Sequence, residues 1–242
     1  MTGSELARDE RARGVPRPPR VHTRQVDGCC DPRGCDGVFG DRFARRAASR
    51  YRRRGLGGTE QRIVDAVVSR GIEGATVLEI GGGVGELHLE LLRAGAGHAT
   101  NLELVAAYDG HAHELASEAG LDGRIERRIL DIAAEPQAVA PADVVVLHRV
   151  VCCYPDVDRL LAAAADHARR LLVFSHPPRH LGTRAFFRVQ NAGFGLFGKQ
   201  YRSFVHSPAG MLETLGRHGL QPVYEHHGLA WHVVALERVV GL

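Results

Sequence analysis

The sequence predicts an α/β protein: an open, mostly parallel sheet with helices on both faces and an antiparallel hairpin at its C-terminal end. Three observations predict it. Residues 77–80 read as a buried strand that runs straight into Gly81, Gly82, Gly83 and Gly85 and then into a helix. Apolar runs rich in β-branched residues then alternate with helical patterns through residue 176. Past the last helical pattern, two strand patterns follow one another with only a glycine turn between them, and a turn that short joins antiparallel strands.

The elements follow in order. Residues 86–95 carry good helix formers and stop at Gly95. Residues 98–104 read as a second strand ending in an acid, Glu103, and residues 108–119 as a helix. Residues 124–132 are a third strand that closes on Asp131. Residues 142–151 form a near-continuous apolar run, the pattern of a central parallel strand covered on both faces, with the strand's exit over 148–156. A Leu- and Ala-rich helix over 156–168 leads to a fifth strand over 170–176. Ser207 and Pro208 pair an N-cap with a proline at the first helical position, and that helix runs to Gly219. Residues 221–227 and 229–238 are the terminal strands, joined at Gly228.

The glycine turn selects among ligands. A dinucleotide fingerprint needs G-x-G-x-x-G. Counted from Gly81 its last position is Glu86, and counted from Gly83 it is His88, so neither register fits. Instead Glu79, Gly81, Gly83 and Gly85 alternate. A pyrophosphate needs a bare helix N-terminus away from carboxylates, whereas a ligand with a positive centre and an amino-acid tail can use a carboxylate beside the turn.

An acidic-x-G-x-G-x-G motif at the end of a first strand resembles the class I S-adenosylmethionine-dependent methyltransferases, and the resemblance extends over roughly residues 59–238. It implies a Rossmann-like sheet of seven strands and S-adenosylmethionine as cofactor. Residue by residue, it places Gly81, Gly83 and Gly85 in the cofactor turn and Glu79 at the cofactor's amino-acid end. Glu103, about 20 residues past the turn, takes the ribose hydroxyls. Asp131 meets the adenine amino group, and His148, at the exit of the fourth strand, is a further cofactor contact. In-line methyl transfer rests on proximity and alignment, with a general base where the acceptor is a hydroxyl. His148 and His176 stand at the right strand ends for that base, with Tyr154 as an orienting hydroxyl. Within the family, the glycine turn, the apolar fourth strand and Phe204, Val205, His206 and Ser207 resemble the magnesium-protoporphyrin methyltransferases, from which the cysteine-bearing start departs.

At 242 residues and 44% hydrophobic content, the chain has the size of one domain with appendages. The expected organisation is a disordered Arg- and Pro-rich tail over 1–28, a cysteine-containing segment and basic helix capping the site over 29–58, and the methyltransferase domain over 59–242. That domain carries an aromatic lid insertion at 177–206, with Phe186, Phe187, Phe194, Phe197, Tyr201 and Phe204. The insertion and residues 36–51 are the two segments expected to roof the crevice, so the expected acceptor is an aromatic or planar small molecule, methylated on oxygen or nitrogen rather than carbon. No apolar run is long enough to span a membrane and no secretory apolar region opens the chain, so a cytoplasmic protein is expected.

Net charge is only +3, yet residues 42–54 hold seven arginines. A solvated helix face explains them better than a nucleic-acid arm, because only Phe43 and Tyr51 supply the rings that RNA recognition uses. An RNA-modifying methyltransferase is therefore the first alternative, and a cofactor-binding regulatory protein without chemistry the second. Cys29, Cys30, Cys35, Cys152 and Cys153 lack the C-x-x-C pairing of ordinary zinc sites, so no metal is expected. Oligomeric state has no signature in the sequence.

Overall fold

The computed structural model describes residues 32–239. The tail expected over 1–28 and the thiols of Cys29 and Cys30 lie outside the described residues. Seven strands form one sheet: β1 (Thr76–Ile80), β2 (His98–Glu103), β3 (Ile125–Ile129), β4 (Ala142–Leu147), β5 (Ala168–His176), β6 (Leu220–His227) and β7 (His232–Arg238). Their spatial order is β3-β2-β1-β4-β5-β7-β6. The pairings from β3 through β5 are parallel, and β7 runs antiparallel to both β5 and β6. The predicted fold class therefore holds, hairpin included.

Eight helices surround the sheet among the described residues: α1 (Pro32–Phe39), α2 (Asp41–Arg54), α3 (Gly58–Val68), α4 (Glu86–Arg93), α5 (Asp109–Glu118), α6 (Val157–His167), α7 (Leu181–Leu196) and α8 (Pro208–Arg217). Two apolar cores result, one on each face. Val77, Val144, Val146 and Val173 pack with α2, α3 and α4 on one side, while Leu78, Val145, Leu147 and Phe174 pack with α6 and α8 on the other. Alternate residues of one strand thus serve opposite cores, which is why the central strands read as unbroken apolar runs. The expected cap forms, Ser207 Oγ accepting from Gly210 N at 3.4 Å, and Asp156 also caps α6 by accepting from Arg159 N at 3.1 Å.

β4 ends at Leu147, so the exit begins at His148 as the sequence suggests, although the apolar run continues to Val151; Arg149 takes a left-handed conformation (φ 59°) that no strand continues through. The Arg149 N–H donates to Ser175 Oγ at 3.0 Å, so β5 holds the turn in place.

Candidate active site

The strand order reverses direction between β1 and β4, and the carboxyl ends of those strands are where open α/β sheets hold ligands. A cavity of about 230 Å³ opens there. Its floor is the turn after β1, residues 79–84, with Glu86 and Leu87 from the start of α4. Residues 102–105 and Tyr108 line one side, residues 130–132 another, and residues 148–150 with Cys153 and Tyr154 a third. Cys35 and Phe39 of α1 and Phe43 and Ala47 of α2 close the top.

The turn is built backbone first. Gly81 N–H donates to Leu102 O at 2.7 Å, which bolts the turn to β2. Gly81, Gly83 and Gly85 all have positive φ (67°, 54° and 90°), so the alternating glycines sit where side chains would be strained. At Gly81 a Cβ would also meet Val150 Cγ2 at 2.6 Å, whereas at Gly83 its first contact would be Tyr108 at 3.5 Å. Gly83 thus shows bare backbone to the cavity.

Glu103 sits beside it. Its carboxylate accepts from Gly83 N at 2.8 Å, Leu104 N at 2.7 Å and Val105 N at 3.2 Å, so it is aimed by three backbone donors. Burial raises its pKa, and those same three N–H groups offset only part of that rise. Asp131 accepts from Tyr154 Oη at 2.9 Å and from Ala133 N at 3.0 Å. Glu79 is buried and accepts from His88 Nδ1 at 2.5 Å, which fixes it under the turn. Glu86, on the cavity wall, is strongly perturbed: burial is the main cause, and its pKa rises to about 7.

Of the sequence-predicted residues, Glu79, Gly81, Gly83, Glu103, Asp131, His148 and Tyr154 line this one cavity. Gly85 stands just behind it as the N-cap of α4. His176 does not join them. It is buried at the end of β5, with Nδ1 3.0 Å from Pro177 O and its ring against Phe174 and His232. The antiparallel β7 covers that strand end, so a position at a strand's carboxyl end does not suffice to reach the cavity.

The aromatic insertion is a second correction. Among the described residues, none of 177–206 lines the cavity. Phe194 packs edge-on against Tyr201 (5.4 Å), and Phe186 and Phe197 face solvent. The aromatic roof comes instead from α1 and α2, where Phe39 sits edge-on to Phe43 at 5.3 Å and to Tyr201 at 5.1 Å.

A buried ion cluster supports the His148 side, and sequence reading missed it. Glu60 of α3, 2% exposed, lies 3.5 Å from Arg50, 3.4 Å from Arg149 and 3.5 Å from His148 Nε2. Burial pushes the Glu60 pKa up, but His148, its own backbone N–H and Arg149 outweigh that and bring it to about 2. His148 Nδ1 meets Ser175 Oγ at 2.9 Å, and burial lowers the imidazole pKa. Arg50 also reaches Glu86 at 3.4 Å, so one arginine ties α2 to two acids beneath it. These partners are far apart in sequence: His148 is marked by its strand exit and Glu86 as the acid standing where a dinucleotide fingerprint has its last glycine, but nothing local joins them to Glu60.

The donor set can be tested against the implied cofactor. Glu79, Glu86, Glu103 and Asp131 line the cavity, and among the described residues Arg149 is the only arginine or lysine that does. Such a set suits a cationic ligand bearing hydroxyls and an amino group, and it repels a pyrophosphate. Asp131 and Glu103 are fixed at the two sides where adenine and ribose are expected, so the residues fit S-adenosylmethionine. Among the described residues, no cluster of three or more His, Cys, Asp or Glu side chains is arranged to hold a metal. None of their helices is long and apolar enough to cross a membrane.

Known proteins agree with this geometry. Residues 78–170 match the family described as a methyltransferase domain. No curated protein sequence matches the chain significantly. Among solved structures, magnesium protoporphyrin IX methyltransferase from Synechocystis PCC 6803 with bound SAH is similar at a TM-score of 0.63 and 23% identity, over 84% of this chain and 100% of that one. An O-methyltransferase family protein from Burkholderia thailandensis is similar at 0.62 and 18% identity, over 85% of this chain and 64% of that one. An O-methyltransferase family 2 protein from Planctomyces limnophilus DSM 3776, in complex with apigenin, is similar at 0.60 and 18% identity, over 82% and 62%. Residues 78–170 thus carry a methyltransferase domain, and the chain shares the fold of solved methyltransferases, with a cavity whose lining suits S-adenosylmethionine.

Proposed function

We propose that this enzyme methylates an oxygen or nitrogen atom of a planar, aromatic small molecule held against Phe39 and Phe43. The observation that carries this reading is the continuity of one cavity: its acidic floor suits the cofactor, and its roof is two aromatic rings from α1 and α2. Flat rings favour flat partners, stacked or edge-on. Two of the similar structures support the class of acceptor, one being named for a porphyrin and one holding apigenin.

When bound, S-adenosylmethionine supplies a methyl group on a positively charged sulfur. Every other part belongs to the chain. Glu103, already aimed by three N–H groups, accepts from the ribose hydroxyls. Asp131, steadied by Tyr154, accepts from the adenine amino group. Glu79 and Glu86 face the cationic end, and Glu86 gives up its proton to do so. Phe39 and Phe43 exclude water and press the acceptor into line, so alignment supplies most of the rate.

His148 is assigned a positioning role. Glu60 is ionised at neutral pH and faces Nε2, so the Nε2 nitrogen carries the hydrogen and Nδ1 accepts from Ser175 Oγ. Acting as a base at Nε2 would require first passing that hydrogen to a carboxylate with a pKa near 2, which is steeply uphill. The acceptor's proton therefore leaves to solvent. His176, outside the cavity, takes no part. The test is transfer of a labelled methyl group to flavonoids and to porphyrin carboxylates, in the wild type and in Phe39→Ala/Phe43→Ala. Labelling of an aromatic acceptor that the double variant loses supports the reading. Labelling of total RNA alone would assign the enzyme to nucleic acid instead.

A further inference from the structure

α7 is amphipathic on the wrong side for a helix that only packs on a core. Leu181, Ala185, Val189, Ala192 and Leu196 recur at helical spacing and form one stripe. That stripe faces solvent: Leu181 is 81% exposed, Val189 73% and Leu196 86%, and Phe186 and Phe197 beside it are 61% and 82% exposed. The helix is nonetheless fastened from its other face. Asn191 exchanges two 2.8 Å hydrogen bonds with the Ser203 backbone, and Phe194 packs on Tyr201. An anchored helix that shows a continuous apolar stripe to water marks an interaction surface.

Charge decides the partner. Arg179, Arg184 and Arg188 are exposed beside the stripe. The chain has no aspartate or glutamate between Asp166 and Glu213, so nothing on this segment neutralises them. A second copy would bring the same arginines to the same stripe, and the two would repel. A surface that is fluid, apolar at depth and negative at its face matches both features, with Leu and Phe entering the acyl boundary and arginines at the headgroups. We infer that α7 is an interfacial anchor that seats this enzyme on anionic phospholipid bilayers, lying along the surface without crossing it.

The experiment is sedimentation of the full chain with vesicles of phosphatidylcholine alone and of phosphatidylcholine with about one part in three phosphatidylserine. The protein should pellet with the anionic vesicles, stay in solution with the neutral ones, and be released by ~0.5 M salt. Val189→Ser/Leu196→Ser/Phe197→Ser and Arg184→Glu/Arg188→Glu should each lower the bound fraction by about tenfold or more. Both variants should keep the wild-type melting temperature and S-adenosylhomocysteine affinity, because none of these side chains is buried or lines the cavity. Failure of the wild type to pellet with anionic vesicles overturns the inference. So does undiminished pelleting of the Arg→Glu variant. A dimer in light scattering that the serine variant dissolves, with no vesicle binding, assigns the stripe to a second copy and also overturns it.

Discussion

α1–α2 and α7 look alike in the sequence: each is helical, each mixes phenylalanines with arginines, and each adjoins the ligand end of the sheet. They face opposite ways. In α2, Arg50 lies against Glu60 and Glu86, Tyr51 donates to Glu90 at 2.5 Å, and Arg52 forms a two-pronged pair with Glu118. Those ties draw the helix onto the domain and carry Phe39 and Phe43 over the cavity. Among the described residues no carboxylate pairs with Arg184 or Arg188 of α7, and the outer Phe186 and Phe197 stay in water. Carboxylates on distant elements, rather than the composition of the segment itself, set which aromatic helix roofs the site.

The comparison predicts the largest effects beneath the α1–α2 roof. Glu103→Ala removes a charged acceptor for the ribose and leaves three backbone donors unpaired. Its S-adenosylhomocysteine Kd should rise by about 100-fold or more, roughly 3 kcal/mol, read by calorimetry.

Glu86 comes next and shows itself through pH. Its folded pKa of about 7 exceeds its ordinary value of 4.5. Between those values the folded state holds a proton that the unfolded chain has lost, so stability contributed by that proton is complete below about pH 4.5 and fades as pH rises through 7. Thermal melts of the cofactor-free protein should lose on the order of 2 kcal/mol across that window, and Glu86→Gln should flatten the loss. Binding the cationic cofactor near pH 6.5 should release a proton, visible as a dependence of the binding heat on buffer ionisation enthalpy. A melt profile in Glu86→Gln identical to the wild type would remove this carboxyl from the account.

Smaller effects separate the two helices directly. Phe39→Ala/Phe43→Ala should raise the acceptor KM about tenfold, in line with one to two kcal/mol of lost ring burial, with cofactor Kd nearly unchanged. Phe186→Ala should change neither. Smallest of all, Arg50→Ala should cost about 1 kcal/mol in denaturant unfolding, since its side chain is 36% exposed and Glu60 keeps Arg149. Arg184→Ala should cost nothing measurable. Equal losses from both arginines would collapse the contrast between the helices.

The sheet was legible because its signals are local and periodic: each strand sits between turn residues, and Ser207 with Pro208 marks a helix start that the structure reproduces. The cavity-lining residues Glu79, Glu103 and Asp131 were legible because spacing along β1, β2 and β3 maps directly onto strand ends. What escaped was long-range. The Glu60 cluster joins residues from α2, α3 and the turn after β4, which no window of sequence contains. His176 was misread because the strand that covers its end is β7, more than fifty residues later. The outward face of α7 escaped because apolar residues recur on both of its sides, and only packing tells which side is buried.

The most direct test of the whole account is a calorimetric titration of the full chain with S-adenosylmethionine and S-adenosylhomocysteine, with NAD as control. Micromolar binding of the first two, weakened strongly in Glu103→Ala, and none of NAD is the predicted result. Binding of NAD, or S-adenosylmethionine binding that Glu103→Ala leaves intact, would contradict the placement of the cofactor and everything built around the glycine turn.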